Sequence, residues 1–117
     1  MFIHVKKYGS IVKVSAVCLT ILLTSLMTTF VDAGGQTQHL VTITGFKFVP
    51  AVLNVERGDT IVWVNHDIVP HSIVVRSSKE AVSPVLESGD TFTYVVGNGL
   101  IYACGLHPSM KGKLVIP

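Results

Sequence analysis

The residues best equipped for chemistry sit close together near the C-terminal end, in Cys104-Gly105-Leu106-His107-Pro108-Ser109-Met110. A thiol, an imidazole and a thioether recur at three-residue intervals between two β-rich runs. In a loop, that spacing lets all three side chains turn toward one point. Soft sulfur donors beside an imidazole suit copper, above all copper that alternates between its +1 and +2 states. A trigonal site of two imidazoles and one thiolate, with a weak, distant thioether, needs a second histidine. His71 is the natural candidate, placed behind Pro70 at the head of the apolar run Ile73-Val74-Val75.

The same residues allow other readings. Structural zinc asks for four strong donors, usually with two or more cysteines, and methionine is a poor zinc ligand. Covalent haem attachment requires Cys-x-x-Cys-His, which is absent. A cysteine nucleophile needs a histidine base and an orienting partner, whereas Cys104 closes a strand pattern and opens no helix. The plainest alternative makes Cys104 and Met110 core fillers and His107 a surface residue.

The elements that must position these residues read as short strands. Leu40-Val41-Thr42-Ile43-Thr44 is β-branched and apolar, Phe46-Lys47-Phe48 alternates up to Pro50, and Val52 to Glu56 closes at the Arg57-Gly58-Asp59 turn. Thr60 to Asn65 follows, with Trp63 expected to fill much of the core. His71 to Arg76, Thr91 to Val96, Leu100 to Cys104 and Lys113 to Ile116 complete the set. Gly97-Asn98-Gly99 predicts a tight hairpin built on positive φ angles. The Ser-rich stretch 77–90 is the least regular. Seven or so short strands with no helical period predict an all-β sandwich with a modest core, which a bound metal would stabilise appreciably. Asn65 is expected to brace the His66–Pro70 loop, Tyr94 and Tyr102 to pack in strands, and His39 and His66 to lie at the surface without a second metal.

The 117-residue chain is long enough for one domain and too short for a large multi-part enzyme. Its first 33 residues read as a targeting segment. Lys6, Lys7 and Lys13 precede an uncharged run from Val14 to Val31, and Val31-Asp32-Ala33 resembles a signal-peptidase site, so cleavage after Ala33 is expected. The alternative is an uncleaved anchor, since the run is just long enough to span a bilayer. Cys18, mid-run, is expected to be inert. Residues 34–117 carry six basic and six acidic side chains. They contain no basic stripe to track a phosphate backbone, which argues against nucleic acid as a partner. Cys104 is their single cysteine, so no intrachain disulfide is possible; in an oxidising compartment a lone thiol calls for burial or a metal.

The chain resembles the small blue-copper proteins, the cupredoxins, and within them the amicyanin/plastocyanin group. The resemblance runs from about Val41 to Ile116. It rests on Phe48 with Pro50, Gly58-Asp59-Thr60 before Trp63-Val64-Asn65, Pro70-His71, Tyr102 with Cys104, and Lys111-Gly112-Lys113. The Cys-x-x-His-x-x-Met loop has amicyanin's short spacing. The resemblance implies an eight-stranded Greek-key β-sandwich and one copper ion, with His71, Cys104 and His107 as equatorial ligands and Met110 axial. It further implies a periplasmic one-electron carrier rather than an enzyme, a monomer that meets donor and acceptor proteins through an apolar patch around His107. Leu106, Pro108, Val69 and Pro70 are the expected patch residues. The alternative function is copper handling, as a carrier or sequestering protein, which the single methionine after Ala33 disfavours. An adhesion or assembly scaffold without metal is a third possibility, against which the four-donor set argues. Two positions depart from the group. Many cupredoxins tie the ligand loops together with Asn after the first histidine and Ser or Thr after the cysteine; here the residues are Ser72 and Gly105. The usual side-chain link is therefore not expected, although the Ser72 N–H remains available to the thiolate. Leu106 stands where amicyanin-like loops often carry proline.

Overall fold

The computed structural model describes residues 34–117. The expected leader, with its cleavage point or anchor, lies outside the described residues. Eight strands form: β1 (Gln38–Thr44), β2 (Lys47–Val49), β3 (Val52–Asn54), β4 (Thr60–Asn65), β5 (Ile73–Val75), β6 (Thr91–Val95), β7 (Leu100–Cys104) and β8 (Lys111–Val115). They make two four-stranded sheets, ordered β2-β1-β4-β6 and β3-β8-β7-β5. The fold is an all-β sandwich, as the strand pattern predicts. Both sheets are mixed, with β1 parallel to β4 and β3 parallel to β8.

Alternation decides which side chains face inward. On β1, Val41 and Ile43 are buried; on β4, Ile61, Trp63 and Asn65 are. Ile73, Tyr102, Cys104 and Leu114 meet them from the other sheet. Trp63 is fully buried, with the rings of Phe92, Tyr94 and Tyr102 at 5.6–6.1 Å. Burial pushes the Tyr102 hydroxyl up to about 12, and the neighbouring Trp63 indole N–H has no partner at hydrogen-bond distance. Tyr102 therefore stays protonated at neutral pH and acts as packing.

Two local expectations fail. Gly97-Asn98-Gly99 makes no hairpin: β6 and β7 belong to different sheets, and none of the three residues has a positive φ. The glycines serve a passage from one sheet to the other. Phe46, expected in a strand, instead sits in the two-residue turn between β1 and β2, with Gly45 and Phe46 both left-handed at φ 58° and 57°. Consecutive left-handed residues are what a tight hairpin with the native strand twist requires.

The irregular 77–90 stretch folds back along β5. Leu86 and His71 exchange backbone hydrogen bonds, His71 N–H to Leu86 O at 3.0 Å and Leu86 N–H to His71 O at 2.7 Å. The Ile73 N–H donates to Ser83 Oγ at 2.8 Å. This stretch fixes the backbone of His71, a role its composition does not announce.

Candidate metal centre

Three loops meet at one end of the sandwich: the β1–β2 turn, the β4–β5 loop and the β7–β8 loop. The antiparallel register sets Ile73 opposite Cys104, so Ser72 and Gly105 face each other just beyond the ladder. His71, Cys104 and His107 converge there. Cys104 Sγ lies 3.6 Å from His71 Nδ1 and 3.8 Å from His107 Nδ1, and the two Nδ1 atoms are 3.2 Å apart. Among the described residues these are the one group of three or more His, Cys, Asp or Glu side chains whose donor atoms gather closely enough for a metal.

The triangle suits a metal ion. With donor lengths of about 2.0 Å to nitrogen and 2.3 Å to sulfur, a planar three-coordinate site has edges of roughly 3.5 Å (N–N) and 3.7 Å (N–S). The observed edges lie within a few tenths of an ångström of these. Two imidazoles and one thiolate are a donor set that copper favours and that closed structural zinc sites do not use.

Burial differs among the residues. His71 is fully buried, Cys104 is 1% exposed and Met110 3%, whereas His107 is partly exposed. This matches the expectation that His107 alone approaches solvent. Met110 stands at the end of the same loop, where Cys104 N–H donates to Met110 O and Met110 N–H to His107 O, each at 3.0 Å. These bonds fold the loop back so that its first and last members meet.

Hydrogen bonds around the triangle hold it. Asn65 braces its loop as predicted: Nδ2 donates to Val69 O and Leu86 O at 2.9 Å each, and Oδ1 accepts the Asp67 N–H at 3.0 Å. The Ser72 N–H points at Cys104 Sγ from 3.5 Å. The departure at positions 72 and 105 has its own solution, since Gly105 N–H donates to Ser72 Oγ at 3.2 Å. A Cβ at position 105 would stand 2.6 Å from that oxygen and 3.0 Å from Val74 Cγ1, so this link needs glycine. The two loops are joined by a hydroxyl and a backbone N–H in place of two side chains.

Two contributors escape the sequence reading. Asp67 Oδ2 accepts from His71 Nε2 at 2.8 Å, and the Phe46 ring stands nearly perpendicular to both imidazoles, with centroids 5.4 Å from His71 and 5.0 Å from His107. Because a carboxylate only accepts, the His71 proton belongs on Nε2 and Nδ1 keeps a free lone pair facing the sulfur. Burial draws the Asp67 carboxyl upward, but the N–H groups of Phe46 and Gly45, together with His71, outweigh it and hold Asp67 below the usual range. His66 is exposed as expected, while His39 pairs with Asp59 at 2.8 Å. Lys111 and Lys113 are both exposed.

Comparison with known proteins agrees with this geometry. Residues 35–117 match the model of the copper binding proteins of the plastocyanin/azurin family. Amicyanin-alpha of Methylorubrum extorquens is 29% identical over 82 residues, 65% of this chain and 69% of that protein. Amicyanin of Paracoccus denitrificans is 31% identical over 83 residues, 66% of this chain and 63% of that protein. Among solved structures, a reduced proline-to-phenylalanine mutant of amicyanin superposes with a TM-score of 0.58 at 26% identity, covering 73% of this chain and 85% of that one. The Cu(I) form of a methionine-to-alanine mutant of amicyanin gives 0.61 at 25%, covering 71% and 85%. The chain belongs to the plastocyanin/azurin family of copper-binding proteins, as a cupredoxin of the amicyanin/plastocyanin group.

Proposed function

We propose that His71, Cys104 and His107 would hold one copper ion through Nδ1, Sγ and Nδ1, with Met110 as a fourth, weaker donor, and that the protein carries single electrons between redox proteins in the periplasm. The observation that carries this reading is the triangle of donor atoms, 3.2–3.8 Å on an edge, drawn from two loops and buried except at His107. Bound copper would supply a one-electron couple between a donor and an acceptor protein. The protein's own residues keep the donors still while the charge changes. The Leu86 backbone and the Asp67 carboxylate fasten His71, Ser72 and Gly105 join the loops, and the Met110 carbonyl ties the loop ends. A donor set that moves little between states lowers the reorganisation that electron transfer requires. The protein is read as a carrier rather than an enzyme, a reading supported by its place among the plastocyanin/azurin copper-binding proteins and its amicyanin relatives.

Electrons would enter and leave through His107. Leu106 is 48% exposed and Pro108 is exposed, whereas Val69 and Pro70, the other two expected patch residues, are half-buried; the Phe46 ring, 50% exposed and 5.0 Å from the His107 ring, adds to the patch. Apolar side chains around a partly exposed ligand suit brief docking of a monomer with its partners. The basic leader, the uncharged run and the triplet ending at Ala33 support export, with residues 34–117 as the mature domain.

The decisive experiment is a visible spectrum of protein loaded with Cu(II). An intense thiolate-to-copper band is expected, and Cys104→Ser is expected to abolish it. Tight copper binding without colour would overturn the electron-carrier reading in favour of copper handling.

A further inference from the structure

Asp67 does more than its place in an exposed loop suggests. Its two oxygens take three donors: Oδ1 accepts the Gly45 N–H at 2.7 Å, and Oδ2 accepts the Phe46 N–H at 3.0 Å and His71 Nε2 at 2.8 Å. An aspartate that only caps a turn bonds N–H groups close to it in the chain. Here two of the donors lie 21 and 22 positions away, on a turn between two strands, and the third is an imidazole with no exposed surface.

The turn so gripped is an unusual one. Gly45 takes a left-handed φ without difficulty, but Phe46 does not, since its Cβ crowds the backbone there. A residue in such a conformation persists when its surroundings hold it. The holding group is the same carboxylate that faces His71. The position gained puts the Phe46 ring against both imidazoles.

We propose that Asp67 is a positioning residue that ties the β1–β2 turn to the metal centre, setting the copper potential through His71 and the Phe46 ring over the two histidines. This rests on the copper reading above. A carboxylate hydrogen-bonded to the far nitrogen of a ligand makes that imidazole a stronger donor, which favours the more highly charged Cu(II) over Cu(I). The same side chain keeps the proton on Nε2, so His71 cannot turn over and present the wrong nitrogen. Through the two turn N–H groups it also seats the Phe46 ring against both imidazoles.

The test uses the copper-loaded protein and begins with the wild-type spectrum. No copper binding would overturn the copper reading itself, and copper binding without the thiolate band would overturn its electron-carrier part. With a coloured wild type, Asp67→Asn keeps the side-chain volume and removes the charge. It is expected to weaken Cu(II) binding about tenfold more than Cu(I) binding, which raises the potential by about 59 mV for one electron. Asp67→Glu keeps the charge and is expected to hold the Cu(II) to Cu(I) affinity ratio within about twofold of wild type. In Cu(I) protein, magnetic resonance contacts between the Phe46 ring and the His71 and His107 rings are expected to disappear in Asp67→Asn and return in Asp67→Glu. Should the asparagine variant not fold, Asp67→Ser takes its place with the same expectations. An unchanged affinity ratio in the uncharged variant, an equal shift in Asp67→Glu, or ring contacts that survive loss of the carboxylate would each overturn the proposal.

Discussion

The sandwich contains two contacts between a carboxylate and an imidazole, one at each end, and they are nearly alike in local geometry. At the metal-centre end Asp67 meets His71 at 2.8 Å; at the opposite end Asp59 meets His39, also at 2.8 Å. Each carboxylate also accepts two backbone N–H groups, Gly45 and Phe46 for Asp67, Thr37 and Glu56 for Asp59. What differs is the other side of the imidazole. His71 is fully buried and its Nδ1 faces a thiolate and a second imidazole, whereas the His39 side chain is 21% exposed beside a cleft lined by Thr37, Asn54 and Glu56. A carboxylate–imidazole contact is therefore a fastening. What sets the His71 end apart is the company of the second nitrogen, a sulfur and another imidazole at 3.2–3.6 Å.

The largest effect that separates the two ends is the response to metal. A ligand that binds only the native state stabilises by mass action, about 4 kcal/mol at a thousandfold excess over its dissociation constant. For a domain of this size that is a rise of roughly 15–30 °C in melting temperature. The copper-free protein is expected to be folded, because the strands bury their own apolar faces. His71→Ala should lose most of the copper-dependent rise, and His39→Ala should keep it. A scanning calorimeter decides the matter, and equal loss in both variants would break the contrast between the ends.

The uneven legibility of the two ends follows from where their partners lie in the chain. Cys104, His107 and Met110 lie within seven residues, at the end of β7 and in the loop after it, so their spacing alone points to convergence, and His71 is marked by its position at the head of an apolar run. Strands β4 and β7 are readable to the residue because alternation and β-branching are local properties. Asp67 is different. In sequence it is one acidic residue in a loop, and its meaning comes from donors at positions 45 and 46 that only folding brings near. Phe46 alternates with Phe48 and so looks like a strand residue, yet Asp67 holds it in a turn. Gly97-Asn98-Gly99 resembles a hairpin because local composition cannot tell a turn within one sheet from a crossing between two. The pairing of His39 with Asp59 is hidden for the same reason as that of Asp67, since its partner lies 20 positions away, although His39 keeps 21% of its side chain exposed.

A second contrast concerns electron entry. Leu106 adjoins the partly exposed His107, while Lys79 hangs from the far end of β5 through its N–H bond to Val75 O at 2.8 Å. Leu106→Glu places charge on the face that two molecules must bring together for self-exchange. A slowing of roughly tenfold at low salt is expected, with the spectrum and copper content unchanged. Lys79→Glu should alter the rate far less. Equal slowing in the two variants would remove the His107 face as the port.

The smallest effect is expected at the opposite end, in acid. The Glu56 N–H, then His39, then the Thr37 N–H hold the Asp59 carboxyl below its ordinary value of 3.8. A depressed value means that the unfolded chain takes up a proton more readily than the folded one. The contribution to stability is therefore complete above about pH 3.8, and it drains away as the pH falls from there through the lower folded value. Asp59→Asn removes it. At neutral pH the variant should unfold at a lower urea concentration than wild type, and the gap should close as the pH drops below 3.8. Asp67 titrates in the same direction in both proteins, so the difference between the two curves isolates Asp59. The copper spectrum at neutral pH should be the same in both, because Asp59 touches no member of the donor triangle. A gap that stays constant into strong acid would show that Asp59 acts by shape rather than by charge, and a changed spectrum would show that the two ends of the sandwich are coupled.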